Sequence, residues 1–192
     1  IVCNALSVDE LALVEPLAVG LHAARRAQIN VGEWVAVIGC GVIGLGAIAA
    51  ASAMGARVIA IDIDDRKQNI AQECGAQRFL NSQQCDVAAE LALLNDGRGP
   101  EVVIEAVGNQ QTIEQATGLV AFSGRVVYVG YAKQPVSYQS AQFLMKELDI
   151  RGSRNATVAD FRAVLALMES GRYPVSNLVS AHYPLEQADH GK

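Results

Sequence analysis

The segment at residues 34–44 reads Trp-Val-Ala-Val-Ile-Gly-Cys-Gly-Val-Ile-Gly, with an apolar, strand-like run directly before its three glycines. A helical stretch of small residues follows, and a second strand-like run then ends at Asp62. A lone G-x-G-x-x-G pattern is weak evidence for a dinucleotide-binding site. A strand before it, a helix after it and an acid 18 residues beyond its last glycine together indicate a dinucleotide-binding βαβ unit.

The loop residues of this unit have separate physical tasks. Gly39 lets the chain turn sharply off the strand. Gly41 has no side chain, so a pyrophosphate can approach the backbone, and Gly44 allows close contact between helix and strand. Val42 and Ile43 complete the loop, and the helix that follows offers free N–H groups and its positive dipole end to the phosphates. The sequence therefore predicts a phosphate-binding loop.

Asp62 stands at the end of the second strand, where a carboxylate can accept hydrogen bonds from both ribose hydroxyls. It would also repel a 2′-phosphate, which favours NAD over NADP as the cofactor. The cations Arg66 and Lys67 follow closely and weaken this preference slightly, although they are also typical of a solvated helix face.

An alternative interpretation of residues 34–56 is a membrane span, because the segment has no charge and enough length. Four glycines within residues 39–46 fit a turn better than a lipid-facing helix. The apolar run before them is typical of a buried parallel strand. We therefore expect no membrane association.

The composition favours one large α/β domain, since 51% of the 192 residues are hydrophobic and 18% are charged. The net charge of −5 and the lack of a basic block make nucleic acid an unfavoured partner.

Cys3, Cys40, Cys74 and Cys85 show no metal-ligand spacing, so we expect reduced thiols in a cytoplasmic protein. No signal peptide is visible, and a start at Ile1 rather than Met predicts a fragment or processed product.

Residues 1–30 predict connecting helices at 8–13 and 17–27, separated at Glu15-Pro16 because proline lacks an N–H. Strands and helices alternate in residues 31–192, which predicts a Rossmann-type, doubly wound, six-stranded parallel sheet with helices on both faces. The predicted strands are 34–38, 58–62, 78–80, 102–104, 125–129 and 148–151. The predicted helices of this part are 45–54, 65–73, a helix through 94 capped by Asp86, 110–120 capped by Asn109, and one that starts at Thr157 and ends at Gly171.

Ligands of such sheets bind at the carboxyl ends of the strands. Eight positions follow or end predicted strands and should therefore share one rim: Gly39, Asp62, Val107, Gly108, Val129, Gly130, Gly152 and Ser153.

Residues 14–23 (Val-Glu-Pro-Leu-Ala-Val-Gly-Leu-His-Ala) and 32–39 (Gly-Glu-Trp-Val-Ala-Val-Ile-Gly) resemble the zinc-dependent alcohol dehydrogenase superfamily. The polyol and sugar-acid branch, with sorbitol, threonine and galactonate or idonate dehydrogenases, is the more similar. Residues 152–157 (Gly-Ser-Arg-Asn-Ala-Thr) and 182–185 (His-Tyr-Pro-Leu) support its sugar-acid side. The resemblance covers nearly the whole chain, from about Leu6 to Gln187.

The resemblance implies a role for several positions. Gly39, Gly41 and Gly44 match the phosphate loop, Asp62 the ribose acid and Lys67 a basic residue near the adenosine. Val19 matches a residue beside the nicotinamide, and Val107, Val129 and Tyr131 match the nicotinamide wall. Ser153 and Arg154 match the loop whose backbone meets the carboxamide, with Arg154 also within reach of substrate. Glu15 takes the place of the third protein ligand of the catalytic zinc.

The chain also departs from the family. It lacks the cysteine and Gly-His-Glu zinc ligands of the separate catalytic domain, and His22, His182 and His190 show no metal-ligand spacing. We interpret His22 as a packed or surface residue. The resemblance thus implies the NAD-binding half of a two-domain enzyme, shortened at its C-terminal end, with the zinc held mostly by the absent domain. We expect that this half binds NAD without turnover.

In the intact enzyme the resemblance implies hydride transfer to NAD from a secondary alcohol of a polyol or sugar acid. An NAD-sensing module without chemistry is the main alternative, and a structural domain that binds no nucleotide is the third. The edge strand 148–151 has few charges, which favours pairing with a second copy. The family resemblance implies the same association, and we expect a homodimer or homotetramer through residues 148–155.

Overall fold

The structure, a computed structural model, describes residues 6–171, 173, 178–179, 181–184 and 186–187. Within these residues six parallel strands form a sheet of order β3-β2-β1-β4-β5-β6, which confirms the predicted α/β fold. The strands are β1 Trp34–Ile38, β2 Arg57–Asp62, β3 Ala76–Asn81, β4 Val102–Glu105, β5 Arg125–Tyr128 and β6 Asp149–Gly152.

Helices cover both faces of the sheet. They are α1 Val8–Arg26, α2 Val42–Ala53, α3 Gln68–Glu73, α4 Val87–Ala92, α5 Gln110–Leu119, α6 Ala141–Met145 and α7 Val158–Glu169, with 3₁₀ turns at Asp65–Lys67 and Asn95–Gly97. Val35 and Val37 of β1 pack into the core that includes α1, α2 and α7, whereas Ala36 and Ile38 pack into the core that includes α4 and α5. Both faces of β1 are therefore apolar, as the sequence predicted.

Three predicted helix starts, at Asp86, Asn109 and Thr157, are confirmed by capping hydrogen bonds, whereas α2 begins at Val42 rather than at the predicted residue 45. The Asn109 side chain accepts from the Thr112 N–H at 2.9 Å, and the Asp86 side chain accepts from the Ala89 N–H at 3.1 Å. Thr157 caps α7. α6 is a five-residue helix with no buried residue, and it was not predicted from the sequence.

The predicted break at Pro16 is wrong, because α1 runs unbroken from Val8 to Arg26. Proline removes one backbone hydrogen bond from a helix. Val14 and Leu17, on either side of Pro16, are both buried in the same core. This packing holds the two predicted helices as one.

The membrane interpretation of residues 34–56 does not hold, since this segment forms β1, the glycine loop and α2 before the turn into β2. Among the described residues, no helix combines the length and apolarity that a membrane crossing requires.

Candidate functional site

The carboxyl ends of the strands lie along one rim, because every strand pair is parallel. At this rim Ile38 pairs with both Ile61 and Glu105, and Tyr128 pairs with Gly152. The chain segments that follow β1, β2, β4, β5 and β6 therefore leave the sheet on the same side, where the sequence placed the eight rim positions.

The glycine loop joins β1 to α2. Gly39 has a φ of +95°, a left-handed value that suits glycine, and its N–H donates to the Ile61 carbonyl at 2.8 Å. A Cβ on Gly44 would collide with the Gly39 carbonyl oxygen, whereas a Cβ on Gly41 would meet nothing within 4 Å. Gly44 thus permits close packing of the helix, and Gly41 borders open space.

The start of α2 follows this open space. Val42 and Ile43 form its first turn, and Gly41 precedes them without a capping side chain. An uncapped helix start presents N–H groups and the positive end of the helix dipole, which together favour an anion such as a phosphate.

Asp62 is fixed to the glycine loop. One of its carboxylate oxygens accepts from the Cys40 N–H at 2.6 Å, and the other accepts from the N–H groups of Ile63 at 2.7 Å and Asp64 at 3.1 Å. A carboxylate offers about four acceptor positions. The carboxylate therefore keeps acceptor capacity for a ribose hydroxyl.

A cleft of about 340 Å³ opens between the glycine loop, the end of β2 and the start of α5. Its size lies within the range of small-molecule sites. The apolar lining includes Ile38, Ile61, Ile63, Ala106 and Val107, and the polar lining includes Asp62, Ser82, Asn109 and Thr112. The sequence analysis missed Ile63, Ser82 and Thr112 as site residues. The signal for Ile63 and Ser82 was their position, because each directly follows a strand, whereas Thr112 lies in the first turn of α5.

The residues predicted to form the nicotinamide wall are brought together. The Val107 side chain lies 2.6 Å from where a Cβ on Gly39 would stand, and a side chain on Gly108 would collide with the backbone of Tyr131. Gly130 is equally close to Gly108. Val107 and Tyr131 are exposed, whereas Val129 is half-buried against the core.

The remaining residues predicted to contact the cofactor or the substrate lie at the margins of this rim. Val19 is buried in α1, next to Gly20, which packs directly on the Ile43 carbonyl of α2. Lys67 ends the 3₁₀ turn after β2. After β6, the Ser153 N–H donates to the Tyr128 carbonyl at 2.8 Å, and Arg154 is exposed.

The described part of the chain contains no complete zinc site. Among the described residues, no group of three or more His, Cys, Asp or Glu side chains is placed to hold a metal ion. Glu15 is exposed on α1, where it could supply a single ligand. His22 pairs with Asp160 at 2.8 Å and His182 pairs with Asp9 at 3.0 Å. The described residues thus do not fit a catalytic zinc by themselves.

The thiol in the glycine loop is a packing residue. Cys40 is fully buried, and this burial, with the nearby Asp62 charge, raises the pKa of its thiol to about 12. Burial also raises the pKa of the Cys74 thiol to about 12. The thiolate is the reactive form, so neither group is a nucleophile near neutral pH.

The sequence and the fold are similar to those of known dehydrogenases. The profile of the family described as "Zinc-binding dehydrogenase" matches residues 42–170. L-galactonate-5-dehydrogenase of Escherichia coli K12 is 37% identical over 189 residues, which cover 95% of this chain and 55% of that protein. Sorbitol dehydrogenase of Bacillus subtilis 168 is 33% identical over 187 residues, covering 96% of this chain and 52% of that protein.

A solved structure shows the same fold with a bound cofactor. A zinc-binding dehydrogenase of Sinorhizobium meliloti 1021, bound to NADP, superimposes with a TM-score of 0.84 at 31% identity. The match covers 93% of this chain and 54% of the other. The chain thus spans about half the length of the relatives that it matches. By its profile match, its identity to these relatives and its fold, the chain belongs to the zinc-binding dehydrogenase family.

Proposed function

We propose that this chain is the NAD-binding part of a zinc-dependent dehydrogenase that oxidises a secondary alcohol of a polyol or sugar acid. One observation carries the proposal: a glycine loop with open space at Gly41 and a fixed carboxylate at Asp62 face the same cleft. The names of the relatives, a galactonate and a sorbitol dehydrogenase, support the substrate class and favour an enzyme over a sensing module.

Each part of the cofactor has a place along the rim. The cleft takes the adenosine, Asp62 accepts from a ribose hydroxyl, and the open space at Gly41 takes the pyrophosphate at the start of α2. The nicotinamide lies along the wall that includes Val107 and Tyr131. The bound cofactor supplies the hydride acceptor, and the protein orients it.

The electrostatics at the end of β2 favour NAD over NADP. The Asp62 carboxylate lines the cleft where a 2′-phosphate would have to enter. Of the two cations that could offset it, Arg66 and Lys67, Arg66 is held by Asp64, with 2.9 Å between its Nη2 and a carboxylate oxygen. Since the relative from S. meliloti is bound to NADP, the preference of this chain needs a direct test.

The metal and the substrate contacts lie largely outside the described residues. Glu15 would contribute one zinc ligand, and the remaining ligands would come from a catalytic domain such as the family has. A catalytic zinc usually has three protein ligands and an open position. We propose that Arg154, exposed after β6, contacts the substrate.

Calorimetric titration of the chain with NAD and with NADP tests the proposal. We expect saturable NAD binding and NADP binding weaker by about tenfold or more, because a phosphate beside a fixed carboxylate is repelled. The same preparation, supplied with zinc and a polyol, should show no turnover. Absence of binding by both cofactors would refute the proposed function, and turnover would refute the assignment of the zinc ligands to another domain.

A pair of variants isolates the charge of Asp62. Asp62→Asn should narrow the difference between the two cofactors by about tenfold, since the amide has no negative charge. Asp65→Asn removes an equal charge three residues further on, where the carboxylate bonds Asn81 and Gln84 outside the cleft. This control should leave the preference unchanged, and an equal effect of both variants would contradict the role of Asp62.

We also propose that the chain self-associates through β6. β6 is the last strand of the described sheet, and its Ile150 is exposed between Asp149 and Arg151. Ile150→Asp adds a charge to this edge and should convert a dimer to a monomer in sedimentation equilibrium. Leu93→Asp, at an exposed apolar position on another surface, is the control. A monomeric unmodified chain would contradict this proposal.

A further inference from the structure

Glu105 is a fully buried acid at the end of β4, after three apolar residues of the same strand. One carboxylate oxygen, Oε1, accepts three hydrogen bonds. The donors are the Val107 N–H at 2.9 Å, the Gly108 N–H at 2.8 Å and the Thr112 hydroxyl at 2.8 Å. This oxygen therefore fixes the turn between β4 and α5.

The other oxygen, Oε2, is buried and has no hydrogen-bond partner among the described residues. It lies against Gly130, where a Cβ would stand 2.5 Å from it. The backbone carbonyl of Glu105 accepts from the N–H groups of Val129 at 2.9 Å and Gly130 at 3.0 Å. Glu105 thus contacts both turns of the rim, the one after β4 and the one after β5.

A purely structural role does not explain this arrangement. Burying a carboxylate with one unsatisfied oxygen is unfavourable, and an apolar residue such as those in Val102–Ile104 would fill a sheet interior at lower cost. Unsatisfied buried groups in native proteins call for a specific explanation. The two turns that Glu105 contacts form the wall assigned above to the nicotinamide. The turn after β4 also supplies Ala106 and Val107 to the adenosine cleft, whereas the lining given for that cleft includes no residue of the turn after β5.

We infer that Glu105 is a positioning residue for the nicotinamide half of the bound dinucleotide. Its carboxylate sets the separation between the Val107–Gly108 turn and the Gly130 turn, and thereby the width of the slot that the nicotinamide enters. Glu105 itself is too deeply buried to touch the cofactor. The inference rests on the proposed function, because the slot is defined by the proposed NAD site.

Titrations with NAD and with ADP-ribose, which lacks the nicotinamide, separate the two halves of the site. The unmodified chain should bind NAD more tightly than ADP-ribose. Glu105→Ala should weaken NAD binding by about tenfold and ADP-ribose binding by no more than about twofold, because the slot lies between both turns that Glu105 contacts and the cleft borders only one of them. Glu105→Gln, whose amide oxygen can replace Oε1 as the acceptor, should restore most of the NAD affinity.

A matched control lies at the other end of the same strand. Glu101, just before β4, accepts from the Trp34 N–H at 2.8 Å and the Asn95 side chain at 2.6 Å. Glu101→Ala should lower the melting temperature without changing the ratio of NAD to ADP-ribose affinity. If Glu105→Ala does not fold, Glu105→Asp provides the same test, because it keeps the charge but withdraws the carboxylate by one methylene.

The possible outcomes distinguish the two proposals. Failure of the unmodified chain to bind either ligand would refute the proposed function and this inference together. Equal affinity of the unmodified chain for NAD and ADP-ribose would overturn the inference alone. Equal weakening of both ligands in the Glu105 variants would also overturn it, since that result describes a general structural residue.

Discussion

Replacing Gly44 with alanine is expected to abolish NAD binding and to destabilise the protein by about 3 kcal/mol or more. The new Cβ would collide with the Gly39 carbonyl oxygen, and both groups belong to the backbone of the same loop. The loop or the helix start must therefore move, although Asp62 is bonded to the Cys40 N–H inside that loop. Thermal unfolding should show a melting temperature lower by about 10 °C.

The Gly41→Ala variant separates binding from stability. Its Cβ would meet nothing within 4 Å and the backbone is extended, with φ of −70°, so the melting temperature should fall by no more than about 4 °C, the cost of alanine at a helix N-cap. NAD affinity should still fall by about tenfold or more, because the methyl group fills the space proposed for the pyrophosphate. Gly118→Ala, also in open space but on α5, should alter neither property by much.

Two results with these glycine variants would contradict the proposed roles of the loop glycines. A Gly44→Ala protein with normal stability would show that helix and loop are not in close contact. Unchanged NAD affinity in Gly41→Ala would show that the pyrophosphate binds elsewhere.

The second large effect is expected for Asp160→Asn, at the contact between α7 and α1. The buried Asp160 carboxylate accepts from Arg25 at 2.6 Å and His22 at 2.8 Å, and from the N–H and hydroxyl of Thr157 at 2.8 and 2.7 Å. The loss of this charge should cost about 3 kcal/mol, from a broken buried pair and a weakened helix cap. The melting temperature near neutral pH should fall by about 10 °C.

The effect of Asp160 should depend on pH. Burial by itself would raise the pKa of this carboxyl, but the hydrogen bonds from Thr157, Arg25 and His22 outweigh burial and lower the pKa. A lowered pKa in the folded state stabilises the protein above the unfolded-state pKa, about 4 for aspartate, and this stabilisation is lost as the pH falls through the folded value. The difference in melting temperature between the unmodified protein and Asp160→Asn should therefore shrink below about pH 4.

Glu10 offers a matched control for Asp160. It occupies the same third position of a capping box, at the start of α1, but the box is exposed to solvent. Glu10→Gln should therefore lower the melting temperature far less than Asp160→Asn. Equal effects of the two variants would show that the contacts of Asp160 with α1 add nothing to stability.

The structure differs from the sequence-based prediction at Pro16 and at α6. Pro16 predicted a helix break by a local rule, and the burial of Val14 and Leu17 overrode it. α6 left no periodic apolar pattern, because none of its five residues is buried. Local propensity failed in both cases because tertiary packing, or its absence, decided the outcome.

Some residues of the candidate site were recognisable from the sequence, and others only from the structure. The glycine loop and Asp62 were recognisable because their roles depend on neighbours in the chain. Glu105 was visible only as an acid that ends an apolar strand, and the three donors on one of its oxygens were not. The hydrogen bond from the Cys40 N–H that ties Asp62 to the glycine loop is likewise visible only in the structure.

The sequence by itself determined the six strands and their alternation with helices, the turn at Gly39 and the acid at the end of β2. Apolar periodicity and backbone sterics act between residues that are close in the chain, so these features can be read locally. Only the tertiary structure decided that α1 is continuous, that Glu105 joins two turns and that Asp160 meets His22 across 138 residues of sequence. Such contacts exist only in the packed structure. The two residues of each contact lie far apart in the sequence, so no local pattern relates them.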